Sequence, residues 1–216
     1  MTKAEVVKKI KEEKLIVIVR GVAEDKLIPL CEALYKGGVR LVEVTFDMKG
    51  QVTPADTSRY ISTLSKAFEG RIVIGAGTVV TLEQAKAALV GGAKYLISPN
   101  TDKEIIDFAS AHNLVSIPGA MTPTEIVTAY NYGADFVKLF PSDSLGLGYI
   151  KAVRAPLSNI PMLAVGGVNE ENIADFMKTG ISGVGVGSNI VKRDLIDKGD
   201  FEAITDLAVK YTSRIK

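Results

Sequence analysis

One cysteine and one histidine stand among 216 residues. Cys31 therefore has no partner for an internal disulfide. A nucleophilic thiol would want a histidine beside it, and the only candidate, His112, lies in AHNL at a helix end. Each reads as inert: Cys31 as packing, His112 as a surface or capping residue. The same scarcity leaves no His/Cys set for a metal, and no patterned acidic cluster replaces it. Neither a metal nor a cofactor is expected. A dinucleotide fingerprint is missing too, since the turn after the first strand reads RGVAED. Charge of one sign is not in excess. Lys+Arg total 26 and Asp+Glu 25, so no overall field attracts nucleic acid or an acidic membrane. The densest basic stretch, KAEVVKKIKEEK, is interleaved with glutamates and reads as a solvated helix face. No apolar run reaches the roughly 18 residues of a membrane span, and the N-terminus has no apolar signal core. The expectation is a soluble, cytoplasmic protein whose partners are small molecules, with no role for nucleic acid or membrane.

What is present is a beat. Short apolar runs recur at 15–20, 41–45, 71–77, 94–98, 114–118, 135–140, 162–167 and 183–188. Between them apolar residues fall at helical spacing, most clearly in EDKLIPLCEALYKGG, TLEQAKAALVGG and TDKEIIDFASAHN. Thr81, Thr101, Thr122 and Asn169 stand where helix N-caps belong, and glycine-containing ends stand where helices stop. Strict alternation of strand and helix implies a parallel sheet. Eight units imply a closed (β/α)8 TIM barrel, near the low end of length for that fold, with an extra N-terminal helix and one domain over 1–216. An open doubly wound sheet is the alternative. It usually has fewer units and a Gly-rich first turn.

In a barrel, chemistry sits at the C-terminal ends of the strands. Residues 134–142 read ADFVKLFPS, an apolar strand with an amine in it. Alternation puts Phe136, Lys138 and Phe140 on one face and Val137 and Leu139 on the other. The small branched pair suits the helix layer, so Lys138 points inward. A desolvated lysine loses charge and becomes a nucleophile toward carbonyl carbon. The bland reading is a structural ion pair or a lysine snorkelling out of the mouth. Glu43 in LVEVT is a second inward charge, and the two together look like an acid/base pair. A salt bridge is again the bland alternative. Arg20, at the end of strand one, suits a substrate carboxylate or would neutralise Glu43. Strand seven ends in Gly166-Gly167 and strand eight in Gly185-Val186-Gly187-Ser188. Glycines in those two loops, with a following short helix, let backbone N–H groups reach a phosphate. Thr78 can donate to a carboxylate, and Pro99 and Pro118 fix rim backbone.

EVT, GAGT, SP, PGxxTPTE, KLFP, GGV and GVGS fall in order on successive strands from about residue 15 to 190. This series resembles the KDPG/KHG aldolases, class I enzymes acting on 2-keto-3-deoxy-6-phosphogluconate and, in some members, 4-hydroxy-2-oxoglutarate. The resemblance implies a metal-free (β/α)8 barrel, typically a homotrimer. Carried across, it makes Lys138 the Schiff-base lysine and Glu43 the general acid/base. Thr78 and Pro99 lie near the pyruvyl carboxylate, Phe140 lines the pocket, and Gly166, Gly167 and Ser188 hold phosphate. Two positions depart from the pattern. Asp47 stands where some members carry a carboxylate-binding arginine, a role that Arg20 is inferred to take over. Val165 makes strand seven read AVGG where gluconate-type enzymes often read PTGG. AVGG and FPS are similar to sister enzymes cleaving 2-keto-3-deoxy-6-phosphogalactonate. The expected activity is gluconate-type cleavage to pyruvate and glyceraldehyde 3-phosphate, with 4-hydroxy-2-oxoglutarate as a further substrate and the galactonate epimer as the alternative. A sugar-phosphate isomerase or epimerase without a Schiff base and a non-catalytic phosphosugar-binding barrel are the readings from other classes.

Overall fold

The computed structural model describes residues 1–215; Lys216, the last of the expected domain span, lies outside the described residues. Its strands are β1 Leu15–Val19, β2 Leu41–Thr45, β3 Val73–Gly77, β4 Tyr95–Ile97, β5 Val115–Ile117, β6 Gly119–Ala120, β7 Val137–Leu139, β8 Met162–Val165 and β9 Gly183–Val186. They pair in parallel in the order β5-β4-β3-β2-β1-β9-β8-β7-β6. The two ends of that order are one stretch of chain. Pro118 has no N–H to give to a ladder, so it divides β5 from β6. Its carbonyl still accepts from Lys138 N at 2.8 Å, which carries the pairing across the break. Counting β5 and β6 as one position, eight strand positions close a (β/α)8 barrel, as expected. The fifth strand runs two residues further than expected, into what read as loop.

Each strand position is followed by helix. The main ones are α2 Glu24–Lys36, α3 Pro54–Ala67, α4 Leu82–Gly91, α5 Lys103–Ala111, α6 Pro123–Asn131 and α7 Ser142–Arg154. After β8 comes the short α8 Ile173–Met177, and after β9 come α9 Arg193–Lys198 and α10 Phe201–Thr212. The starts follow from side-chain chemistry. Thr81 and Thr122 cap α4 and α6, and Gln84 and Glu125 answer from the third position. Two expected caps differ. Asp102 caps α5 by accepting from Glu104 N, while the Thr101 hydroxyl donates to Gly119 O at 3.0 Å. Asn169 accepts from Glu171 N and Asn172 N, making a turn ahead of α8 rather than its cap.

Alternation along the strands builds two apolar layers. Val17, Val42, Val44, Val137 and Leu139 face the helices. Ile16, Leu41, Tyr95, Phe136 and Leu163 face inward. The N-terminal helix, α1 Lys3–Glu13, adds Val6 and Ile10 to the inner cluster. Lys3 pairs with Asp135 just before β7 at 2.9 Å, so α1 plugs the N-terminal end of the barrel. Burying those two aliphatic side chains is worth about 1.5–3 kcal/mol each. With that end stoppered, the opposite end is the one open to a ligand.

Candidate active site

Lys138 projects from β7 into the barrel and is only 7% exposed. Glu43 projects from β2 and is 2% exposed. Neither is paired among the described residues: there no carboxylate lies within 4.0 Å of the amine and no cation within 4.0 Å of the carboxylate. The structural salt bridge that either residue could have been is therefore not formed. Burial drives the Lys138 pKa down, opposed by Glu43 and helped by Arg20. Burial drives the Glu43 pKa up, against the attraction of Lys138 and Arg20. Both groups are thus pushed toward their neutral forms, a free amine facing a proton donor. The amine also sits 4.4 Å from the centroid of the Phe140 ring.

The space for Glu43 is made by β3. A β-carbon on Gly77 would overlap the Glu43 carboxylate, and one on Gly75 would overlap the Tyr95 ring. Tyr95 fills that gap and donates its hydroxyl to Val42 O at 2.7 Å, beside Glu43. Fully buried next to a carboxyl, its phenol has a strongly raised pKa and stays protonated.

Arg20, just past β1, donates from Nη2 to Thr78 Oγ1 at 2.9 Å. Thr78 follows β3 with φ of 58°, a left-handed conformation unusual for a β-branched residue. Strain of this kind gathers at functional sites. Asp47, one of the two departures from the resembled pattern, does not line the opening that Arg20 and Thr78 line. Its carboxylate accepts from Lys49 N, Gln51 N and Val52 N and folds its own loop. The Lys49 N–H bond leads in holding the Asp47 pKa down.

The glycine loops meet at the same opening. Gly166 and Gly167 follow β8 with φ of 103° and 70°, and a β-carbon on Gly167 would strike Asp143. Only glycine tolerates that backbone there. Asn189 ties the two loops by donating to Val168 O at 2.8 Å. The short helix expected after strand eight does not begin at Ser188 itself. Ile190 N and Val191 N instead donate back to Gly187 O, closing a turn, and α9 starts five residues after Ser188. A cavity of about 1030 Å³ at this end is lined by all nine expected residues: Arg20, Glu43, Thr78, Pro99, Lys138, Phe140, Gly166, Gly167 and Ser188.

The cavity also has walls that sequence reasoning did not single out. Behind the lining, Gly77 and Tyr95 carried no signal either, because their importance is the shape they leave for Glu43. Asn189, Lys192 and Arg193 line the rim. The KR pair four residues after a GS turn was a visible clue to the last two. Cys31 and His112 stay outside the site. Burial pushes the Cys31 thiol up to about 12, and His112 ends α5 stacked on Phe108 at 4.1 Å. Among the described residues no cluster of three or more His, Cys, Asp or Glu could hold a metal ion, and no helix is long and apolar enough to cross a membrane.

A family profile described as "KDPG and KHG aldolase" matches residues 6–207. The chain belongs to the KDPG and KHG aldolase family. Members are aldolases, class I carbon–carbon lyases, and the two non-aldolase readings lose their ground. A 2-dehydro-3-deoxy-6-phosphogalactonate aldolase of Escherichia coli (strain K12) is 35% identical over 82% of this chain and 84% of its own. A 2-dehydro-3-deoxy-phosphogluconate aldolase of Treponema pallidum (strain Nichols) is 31% identical over 84% of this chain and 83% of its own. Among solved structures, a KDPG aldolase from Legionella pneumophila, with pyruvate captured as a covalent carbinolamine, superimposes with a TM-score of 0.84. It is 26% identical and covers 97% of both chains.

Proposed function

We propose that this KDPG/KHG-family aldolase cleaves a phosphorylated 2-keto-3-deoxy sugar acid to pyruvate and glyceraldehyde 3-phosphate, with Lys138 as the Schiff-base nucleophile. The observation that carries the reading is the buried, unpaired amine of Lys138 facing the equally buried, unpaired Glu43 across one cavity. The neutral amine attacks the C2 ketone. Glu43 gives a proton to the carbinolamine oxygen, which leaves as water, and the iminium forms. The iminium draws the electron pair of the C3–C4 bond as Glu43, now a carboxylate, takes the C4 hydroxyl proton. Glyceraldehyde 3-phosphate departs, the enamine is protonated at C3, and water hydrolyses the pyruvyl imine. Arg20 and Thr78 hold the carboxylate, beside Pro99 and Phe140. The loops at Gly166, Gly167 and Ser188 hold the phosphate. Fixing both ends of the substrate turns binding into orientation of the bond that breaks. The same chemistry extends to 4-hydroxy-2-oxoglutarate, giving pyruvate and glyoxylate.

Between the gluconate and galactonate acids, which differ at C4, one residue favours the galactonate reading. Val165 lines the cavity from the end of β8 and offers no hydrogen-bonding group. The identity to the Escherichia coli galactonate enzyme supports the same choice. Pyruvate release from the two acids at equal concentration is the test. Faster cleavage of the galactonate acid is expected. Equal or faster cleavage of the gluconate acid returns the chain to the gluconate reading, and cleavage of neither defeats both. A homotrimer is proposed by family likeness, to be checked by light scattering.

A further inference from the structure

We propose that Arg193 supplies the side-chain cation for the substrate phosphate and so sets the preference for phosphorylated over unphosphorylated acids. The inference rests on the functional reading above. A phosphate monoester carries a charge of about −1.5 to −2 at pH 7. Backbone N–H groups of Gly166, Gly167 and Ser188 offer it hydrogen bonds but no net charge. Charge must come from side chains, and the cavity is lined by four cationic residues: Arg20, Lys138, Lys192 and Arg193. Arg20 is committed to Thr78, beyond the strand that carries Glu43's glycine cradle. Lys138 is needed uncharged. Lys192 lines the cavity as well, but among the described residues no hydrogen bond or ion pair holds its ammonium in place.

Arg193 remains. It opens α9, two residues past the Gly187–Val191 turn that carries Ser188. One of its N–H groups, at Nη1, donates to Gly21 O at 3.1 Å, which steadies the guanidinium over the mouth. Gly21 has φ of 62°, and the backbone there passes close to the arginine. A guanidinium has five N–H donors in a planar fork, so most stay free for a tetrahedral anion. The acids nearby are Asp194, which lines the cavity, and Asp197, which approaches Arg193 Nε only to 3.9 Å on the exposed face. An exposed pair at that distance is weak and yields to a dianion.

The test separates the phosphate from the chemistry. Arg193→Ala and Arg193→Lys are assayed in cleavage of the phosphorylated acid and in exchange of the pyruvate methyl protons with D2O. The second reaction uses the imine and enamine but no phosphate. Losing one charge-assisted contact predicts a fall in kcat/KM of about tenfold to a hundredfold for Arg193→Ala, mostly through KM. Arg193→Lys should recover part of it. Pyruvate exchange should stay within about twofold, far below the scale of a lost charged contact. Inorganic phosphate should inhibit the wild type better than Arg193→Ala. Equal loss in both reactions would mean that Arg193 only braces the Gly21 loop, and no loss in either would remove it from the site. A wild type that exchanges pyruvate protons but cleaves only unphosphorylated acids overturns the functional reading, and the Arg193 assignment with it.

Discussion

The Glu43 carboxylate lies against the bare α-carbon of Gly77, where any β-carbon would overlap it. The third strand thus serves the second by omission. Gly77→Ala should evict the carboxylate from its position without touching a titratable group. If Glu43 acts as general acid and base, turnover should fall by about 10²–10⁴, the usual worth of such a group. Circular dichroism should still report a folded barrel. A folded Gly77→Ala protein with wild-type kcat would show that the position of Glu43 does not matter.

Glu43→Gln keeps the shape and removes the proton transfer. Turnover should drop by a similar factor. The carboxyl's pKa is raised by burial, so between its unfolded and folded values the native state holds the proton more tightly. Native stability is then greatest below the unfolded value, about 4.3, and declines as pH rises through the folded one. Urea titrations across that range should show the decline in the wild type and lose it in Glu43→Gln.

Lys138→Met trades a buried amine for an apolar chain of similar length. Here the sign is opposite. The folded pKa is lowered by burial, so the unfolded chain binds the proton more tightly, and wild-type stability rises as pH climbs from the folded value toward the unfolded one, near 10.4. At neutral pH the methionine variant should melt higher, by about 2–4 °C for each kcal/mol recovered. It should have no detectable aldolase activity. A lower melting temperature would mean that the amine stabilises the fold.

Thr78 holds a left-handed backbone that costs on the order of 1–3 kcal/mol. Thr78→Gly should relieve it, raise or preserve the melting temperature, and free Arg20 from its partner. The expected result is a higher KM for pyruvate in the exchange reaction with little loss of stability. A marked drop in melting temperature would assign Thr78 to the fold alone.

Much of this is legible in the sequence. The inward direction of Lys138 and Glu43 follows from a period of two on short strands, and Leu41 and Val42, or Phe136 and Val137, divide between the layers as that period requires. Eight strand positions could be counted from apolar runs. What escaped were features set by tertiary neighbours. Pro118 splits a strand whose pairing continues through its carbonyl, so Gly119 and Ala120 read as loop. Asp102 rather than Thr101 caps α5, and the Thr101 hydroxyl reaches across to Gly119 O instead. Gly77 and Tyr95 gain meaning only from what lies across the barrel, which spacing along the chain does not encode.

The most direct measurement is borohydride reduction in the presence of pyruvate, followed by peptide mass spectrometry. The account predicts one reduced pyruvyl adduct, on Lys138, and none in Lys138→Arg. Full labelling of the Lys138→Arg protein, or an adduct on a different lysine of the wild type, would contradict it.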